Sequence, residues 1–364
     1  MGVAVESFFS ADYQEARGKF LAAAEAAGAA LQSAAHPLTG PDGGALAMDA
    51  AWIGPAAADR VLVTISGTHG IEGFTGSAAQ IGWLETGLQR DLPAGVAVLH
   101  VHALNPYGFA WQRRVNEDNV DLNRNFLDHD APHPENSGYD ALAEAICPPR
   151  IDDEAMAKAD REIAAFGERH GEIACLSAIV AGQYRHPQGL YFGGQGLSWS
   201  ARCLLALLQE RLAGVREVAS IDFHSGLGPY GYGELMSCQA FESPGYQLLR
   251  SFYGEEVTST GDGSMSFVDN FGDSSNAFVS AAPQAELGAV CLEFGTRPEA
   301  QVFDAMRREN WLHLHGVLDS PEGRRIKAEM RDAFYPEEVA WKDAIWTRSA
   351  EIMGKALAGL AERC

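Results

Sequence analysis

Val61-Leu62-Val63-Thr64-Ile65-Ser66-Gly67-Thr68-His69-Gly70-Ile71-Glu72-Gly73 is an apolar, β-branched run that passes straight into a glycine-rich turn carrying an imidazole and a carboxylate. Val61 to Ile65 reads as a buried strand, and Phe74 to Leu88, which follows, reads as a helix. His69 and Glu72 stand three residues apart, so on a helical turn they share a face and can grip one metal ion. A metal held there would sit at the carboxyl end of a strand, where open α/β sheets place their ligands. The His-x-x-Glu pattern is short: with 11 histidines in the chain it is expected by chance about once. Its meaning depends on what else the chain carries.

Outward from this stretch, further strand candidates recur at Val96 to Ala103, Glu217 to His224 and Val290 to Phe294, separated by helix-like segments such as Ser200 to Ala213. Strands alternating with helices predict an α/β fold, with a largely parallel or mixed sheet covered on both sides. Asp12 to Ala34 is rich in Ala, Glu and Leu and predicts a helix, broken by Pro37 to Gly44. Leu127 to Tyr191 reads as an elaboration between core strands, with a charged helix at Asp153 to His170. Ser259 to Asn276, rich in Gly, Ser and Asp, predicts a long loop, and Arg307 to Leu360 is mostly helical. With no repeat and no low-complexity linker, the expectation is one domain over 1–364, with a core at about 50–300 and a helical C-terminal extension at 307–364.

The formal charge of -22 in 364 residues argues against nucleic acid or an anionic membrane as partner. The first twenty residues lack a basic stretch followed by an apolar one, and no run approaches the roughly 18 apolar residues of a membrane span, so a cytoplasmic location is expected. The six cysteines are scattered without a Cys-x-x-Cys pair, which fits reduced thiols.

Three further blocks carry chemistry. Asn105 to Phe126 begins just after a strand and holds Arg113, Arg114 and Arg124 among amides. Guanidinium makes bidentate, permanently charged contacts, so the group suits a carboxylate or a developing oxyanion, although a solvated polar loop has the same composition. Ile221-Asp222-Phe223-His224-Ser225-Gly226 lies at another strand end and offers His224 as a third metal ligand. Asp222, two residues earlier, points to the same face and can support that histidine or hold a second metal. Val290-Cys291-Leu292-Glu293-Phe294 is an apolar strand interrupted by one carboxylate, and a Glu so placed is accounted for most cheaply as a general base.

Together the four blocks resemble the M14-type zinc carboxypeptidase family and, more closely, its bacterial DUF2817 branch, from about Val61 to Thr296. The resemblance implies a three-layer α/β/α fold with a central mixed, largely parallel sheet. It implies a single zinc ion per chain on His69, Glu72 and His224, with Glu293 as the base and acid that activates the water on the zinc. It further implies Arg114 as oxyanion stabiliser, Arg113 being the second choice of register. Asn123 and Arg124 match the pair that holds a substrate's terminal carboxylate, Asp121 the residue that orients the first zinc histidine, and Tyr230 and Tyr232 a segment lining the substrate cleft. The implied activity is cleavage of a peptide or amide bond next to a carboxylate-bearing residue, with a small peptide or N-acyl amino acid as substrate.

One departure stands out: no Tyr lies between Tyr253 and Glu293, where digestive-type carboxypeptidases carry a mobile capping tyrosine. A related zinc deacylase group, similar to aspartoacylase and succinylglutamate desuccinylase, shares the His-x-x-Glu, Asp-Leu-Asn-Arg and His elements. N-acyl amino acid deacylation is therefore the alternative activity. The same residues also leave room for a two-metal aminopeptidase and for a non-catalytic binding protein on a peptidase fold. No Gly-x-Ser-x-Gly elbow supports a serine hydrolase, and Gly193-Gly194-Gln195-Gly196 does not continue as a dinucleotide-binding motif.

Overall fold

Every residue of Arg60–Ile65 and Val96–His102 is buried, as strands covered on both faces require. Within them, Leu62, Val96 and Val98 join an apolar core on one face, and Val61, Val63, Ile65, Leu99 and Val101 join a second core on the other. That split is the period-two alternation of a strand.

The computed structural model describes residues 4–259 and 271–363. Its strands are β1 (Ala30–Thr39), β2 (Ala45–Ile53), β3 (Arg60–Ile65), β4 (Val96–His102), β5 (Glu217–Tyr230), β6 (Gly233–Ser237), β7 (Val257–Ser259) and β8 (Glu286–Gly295). Its helices are α1 (Tyr13–Ala26), α2 (Gly73–Glu85), α3 (Pro106–Ala110), α4 (Ser137–Ile146), α5 (Asp153–His170) and α6 (Glu172–Val180). They continue with α7 (Trp199–Arg211), α8 (Pro244–Tyr253), α9 (Ser275–Ala281), α10 (Glu299–His315), α11 (Pro321–Phe334) and α12 (Val339–Glu362).

The strands form one sheet in the order β1-β2-β4-β3-β5-β8-β6-β7. The central four, β4, β3, β5 and β8, run parallel, while β1, β2 and β6 pair antiparallel to their inner neighbours. Residues of α1, α2 and α12 fill the core on one face, and residues of α7 and α9 that on the other. The result is a three-layer α/β/α arrangement around a mixed, largely parallel sheet. After β3 the chain adds β4 on one side, then returns to add β5 on the other, so β3 and β5 flank the switch point where such sheets bind ligands.

The edges differ from the sequence expectation. The helix predicted over Asp12 to Ala34 stops at Ala26, where Gly28 (φ 74°) takes the left-handed conformation that ends helices. The chain then enters β1, an exposed edge strand that tolerates Pro37 because an edge leaves one side of its ladder unpaired. Most of the loop predicted over Ser259 to Asn276 lies outside the described residues, and its last two residues begin α9. The C-terminal helices fold back on the sheet: Arg60 Nη1 donates to the Leu360 carbonyl at 2.8 Å. Among the described residues no helix is long and apolar enough to cross a membrane.

Candidate active site

The turn after β3 is shaped by close backbone approach. Gly70 packs so tightly on α3 that a Cβ there would stand 2.0 Å from the Gly108 carbonyl carbon. Gly70 N donates to the Arg114 carbonyl (3.0 Å) and Ile71 N to the Arg113 carbonyl (2.8 Å), which ties the turn to the arginine segment. Asn105 caps α3 by accepting from Gly108 N at 2.8 Å, and Pro106 fills its first position, as helix starts favour. His69 is an extended residue preceding a 3-10 turn that ends at Glu72, so the pair meets across the turn rather than along an α-helix.

Three side chains converge there. His69 Nδ1 lies 2.9 Å from Glu72 Oε1, His224 Nδ1 lies 2.9 Å from Glu72 Oε2, and the two Nδ1 atoms are 3.1 Å apart. The remote nitrogens are both held by carboxylates: His69 Nε2 by Asp121 (3.0 Å) and His224 Nε2 by Asp222 (3.2 Å). Ligand atoms about 2.0–2.1 Å from a tetrahedral ion stand roughly 3.3 Å apart, close to these separations. A metal-bound imidazole also donates its other N–H to a carboxylate, as both histidines are placed to do. The residues present therefore fit one divalent metal ion. A second donor group, His224 with Cys291 and Glu293, shares His224 with the first.

Around this group each expected residue has a definite place. Asp121 accepts from Asn123 N at 3.0 Å and from Arg114 Nε at 3.1 Å as well as facing His69. Burial alone would raise its pKa, but the Arg114 guanidinium and then His69 hold it well below the usual carboxylate range. Arg114 also donates to Glu72 at 3.0 Å and lines the cavity, whereas Arg113 is buried against Glu309 (3.1 Å) and Asn119 (3.0 Å) away from it. Asp222 accepts from the Thr68 hydroxyl (2.8 Å) and the Ser274 hydroxyl (2.7 Å). Asn123 accepts from Ser274 N at 2.9 Å. Arg124 faces the cavity but spends hydrogen bonds on backbone carbonyls, of Val180 (3.1 Å from Nε) and Asn123 (2.8 Å).

Glu293 is the cross-strand partner of His224 in the β5–β8 register, so the two point the same way. It accepts from Leu227 N at 3.0 Å, and burial, then the Glu72 carboxylate, push its pKa up to about 8 against the pull of His224. These groups share a cavity of about 330 Å³ whose remaining walls are mostly apolar, with Ile179 of α6, Phe303 and Met306 of α10 and Phe334 of α11, beside Ser225 and Glu299.

Tyr230 and Tyr232 do not line that cavity. They are about half exposed, and the Arg297 guanidinium carbon lies 5.8 Å from the Tyr230 ring centroid. Gly226, Gly228 and Gly231 take positive φ and the β5 register shifts after Gly226, which turns the chain away from His69, Glu72 and His224. The tyrosine that does line the cavity is Tyr191, which no local motif marks. Leu227, whose N–H meets Glu293, is equally silent in the sequence: its role is a backbone role.

A family model described as Protein of unknown function (DUF2817) matches residues 9–348. No curated protein matches the sequence. Among solved structures, carboxypeptidase A from Helicoverpa armigera is similar at 14% identity, with 90% of this chain and 74% of that chain covered and a TM-score of 0.44. Succinylglutamate desuccinylase from Chromobacterium violaceum is similar at 17% identity, with 88% and 74% covered and a TM-score of 0.37. Glutaminyl cyclase from Porphyromonas gingivalis is similar at 12% identity, with 98% and 99% covered and a TM-score of 0.38. Likenesses this distant assign no activity.

Proposed function

The chain belongs to the DUF2817 family, and from the chemistry of its own site we propose that it is a zinc-dependent hydrolase that cleaves an amide bond next to a carboxylate-bearing residue. One observation carries the reading: two imidazole nitrogens and a carboxylate converge at about 3 Å, each imidazole backed by a further carboxylate, with a buried glutamate in the same cavity.

His69, Glu72 and His224 would hold one zinc ion, which polarises a carbonyl and makes water acidic enough to react near neutral pH. The chain's own groups do the rest. Glu293, with Leu227 N–H on one oxygen, takes a proton from the attacking water and passes it to the leaving nitrogen. Its raised pKa suits both halves of that exchange, and the charge of a bound dication pulls it back toward the carboxylate form. Arg114, fixed by Glu72 and Asp121, faces the carbonyl oxygen as charge develops on it. Asn123 and Arg124 receive the substrate's carboxylate, and apolar walls exclude water from the reacting atoms.

The substrate is a small peptide with a free C-terminus. N-acyl amino acids are the second substrate class, favoured by a cavity of about 330 Å³, which suits a small molecule taken in whole. The test is mass spectrometry of a pool of free peptides and N-acyl amino acids incubated with the protein, with and without chelator, beside a metal analysis. Chelator-sensitive loss of C-terminal residues supports the peptidase, and release of amino acids from the N-acyl compounds alone supports the deacylase. No turnover and no bound metal would sink both.

A further inference from the structure

Tyr191 is an aromatic residue in left-handed backbone conformation, with φ 57°, where its side chain crowds the following carbonyl. The surroundings hold it there from several directions. Its carbonyl accepts from Gln183 N at 3.1 Å, and the preceding Leu190 carbonyl accepts from the Tyr139 hydroxyl at 2.8 Å and Gln183 Nε2 at 3.2 Å. The next carbonyl, of Phe192, accepts from Asp121 N at 2.8 Å, so the strained residue is tied by backbone to the carboxylate that faces His69. Strain held in this way at a cavity wall commonly serves a function.

The ring is placed among the charges of the site. The guanidinium carbon of Arg114 lies 5.6 Å from its centroid and that of Arg124 5.7 Å. The residue is 8% exposed and lines the cavity, yet among the described residues its hydroxyl meets no hydrogen-bond partner. Backbone strain thus coincides with a hydroxyl left free for a partner in the cavity, on a residue whose ring both guanidiniums approach.

We propose that Tyr191 is a substrate-binding residue whose phenol donates a hydrogen bond to the substrate carboxylate, beside Arg124, supplying from the segment before β5 the tyrosine that is missing before Glu293. The inference rests on the carboxylate-binding part of the proposed function. Burial, foremost, pushes the phenol pKa up, so the group stays a donor at neutral pH.

The test is Tyr191→Phe, which keeps the ring and its contacts with both guanidiniums and removes only the hydroxyl. With the zinc-loaded protein, benzoylglycyl-phenylalanine and its C-terminal amide are compared as substrates. The expected result is a KM about 10-fold higher for the free acid, the scale of one hydrogen bond to a charged group, with kcat within about threefold and the amide unaffected. The melting temperature of the variant should be unchanged or higher, because a purely structural tyrosine would lose stability instead. An unchanged KM, an equal change for acid and amide, or a lowered melting temperature with losses on both substrates would overturn the proposal. If the wild type hydrolyses neither compound, the hydrolase reading fails, and calorimetric binding of N-acetylphenylalanine and its amide decides on Tyr191. About 10-fold weaker binding of the acid alone in the variant supports the proposal, and no acid preference in the wild type, or none lost in the variant, refutes it.

Discussion

Replacing Asp121 by Asn keeps the size of the side chain and removes its charge. In the metal-bound state His69 offers Nδ1 to the ion, so its proton sits on Nε2 and points at Asp121 Oδ1, 3.0 Å away. The same oxygen accepts from Asn123 N, and the other accepts from Arg114 Nε at 3.1 Å. All three partners are donors. An asparagine can place its carbonyl toward His69, which sets its NH2 against the Arg114 N–H, or flip and set that NH2 against His69 and Asn123. Either orientation loses a charge-assisted contact and faces donor with donor. Losses of this kind behind a metal-bound histidine typically cost 10- to 100-fold in metal affinity, about 1.4–2.7 kcal/mol. Competition against a chromophoric zinc chelator at pH 7.5 measures it without relying on any substrate. Asp222→Asn should cost less, because its contact with His224 is longer, 3.2 Å, and its other partners are hydroxyls that can turn. Zinc affinity for Asp121→Asn within twofold of the wild type would refute the argument that Asp121 orients His69.

Glu293→Gln should bind zinc as the wild type does while losing at least about 100-fold in kcat; retained turnover in a steady-state assay removes Glu293 as the base. Stripping the metal should lower the melting temperature by several degrees, since zinc at about 100 times its Kd adds about 2.7 kcal/mol, and a scan indifferent to chelator would contradict the site. Acid should destabilise the metal-free protein through His100 and His102. Burial pushes their pKa values down to about 3 and about 4, so below pH 6.5 the unfolded chain takes up protons that the native state refuses. Their stability contribution is present above pH 6.5 and shrinks as pH falls, by about 3 kcal/mol for the pair between pH 6.5 and 5. His224, raised well above 6.5 because Asp222 and Glu72 outweigh its burial, acts in the opposite sense but only above pH 6.5. Glu293, raised from 4.5 to about 8, opposes this over the same window, so urea unfolding at the two pH values is read in metal-free Glu293→Gln, where a flat profile would show that the two histidines are accessible to protons.

The parts of the fold that can be read from sequence are those where composition and environment agree. β3, β4, β5 and β8 are central, and their largely apolar runs are buried on both faces. β1 and β2 are hidden because their residues, such as Ala45-Leu46-Ala47-Met48-Asp49-Ala50-Ala51, are good helix formers whose strand state comes from pairing across the hairpin. The end of α1 is marked by Gly28, a signal outweighed by the alanines around it. His69, Glu72 and His224 are legible as one donor group because the first two lie in the turn after β3 and the third lies on the neighbouring strand β5, which fixes their positions with few degrees of freedom. Tyr230 and Tyr232 are placed off the cavity for the opposite reason: two glycines with positive φ separate Tyr230 from His224 and three separate Tyr232, and the direction of such a turn is not written in residue type. Tyr191 is invisible because its meaning lies in a backbone angle and in two arginines far away in the chain.

The charges around the site explain why these residues occur together. Glu72, Asp121, Asp222 and Glu293 are buried carboxylates, set against the guanidiniums of Arg114 and Arg124. Four negative charges against two positive ones leave a deficit equal to one divalent cation when both imidazoles are neutral. Buried charge without compensation is expensive, and protons supply the compensation where no cation does. Glu293 rises to about 8 and His224 is raised, so both hold a proton more readily than in the unfolded chain. Metal binding should therefore release protons, and the fully charged site it leaves is close to neutral although the chain carries a net charge of -22. On the proposed reading a substrate carboxylate would then meet two arginines and the Tyr191 hydroxyl rather than the acidic average of the surface, so its recognition would depend on the metal as well as on the arginines.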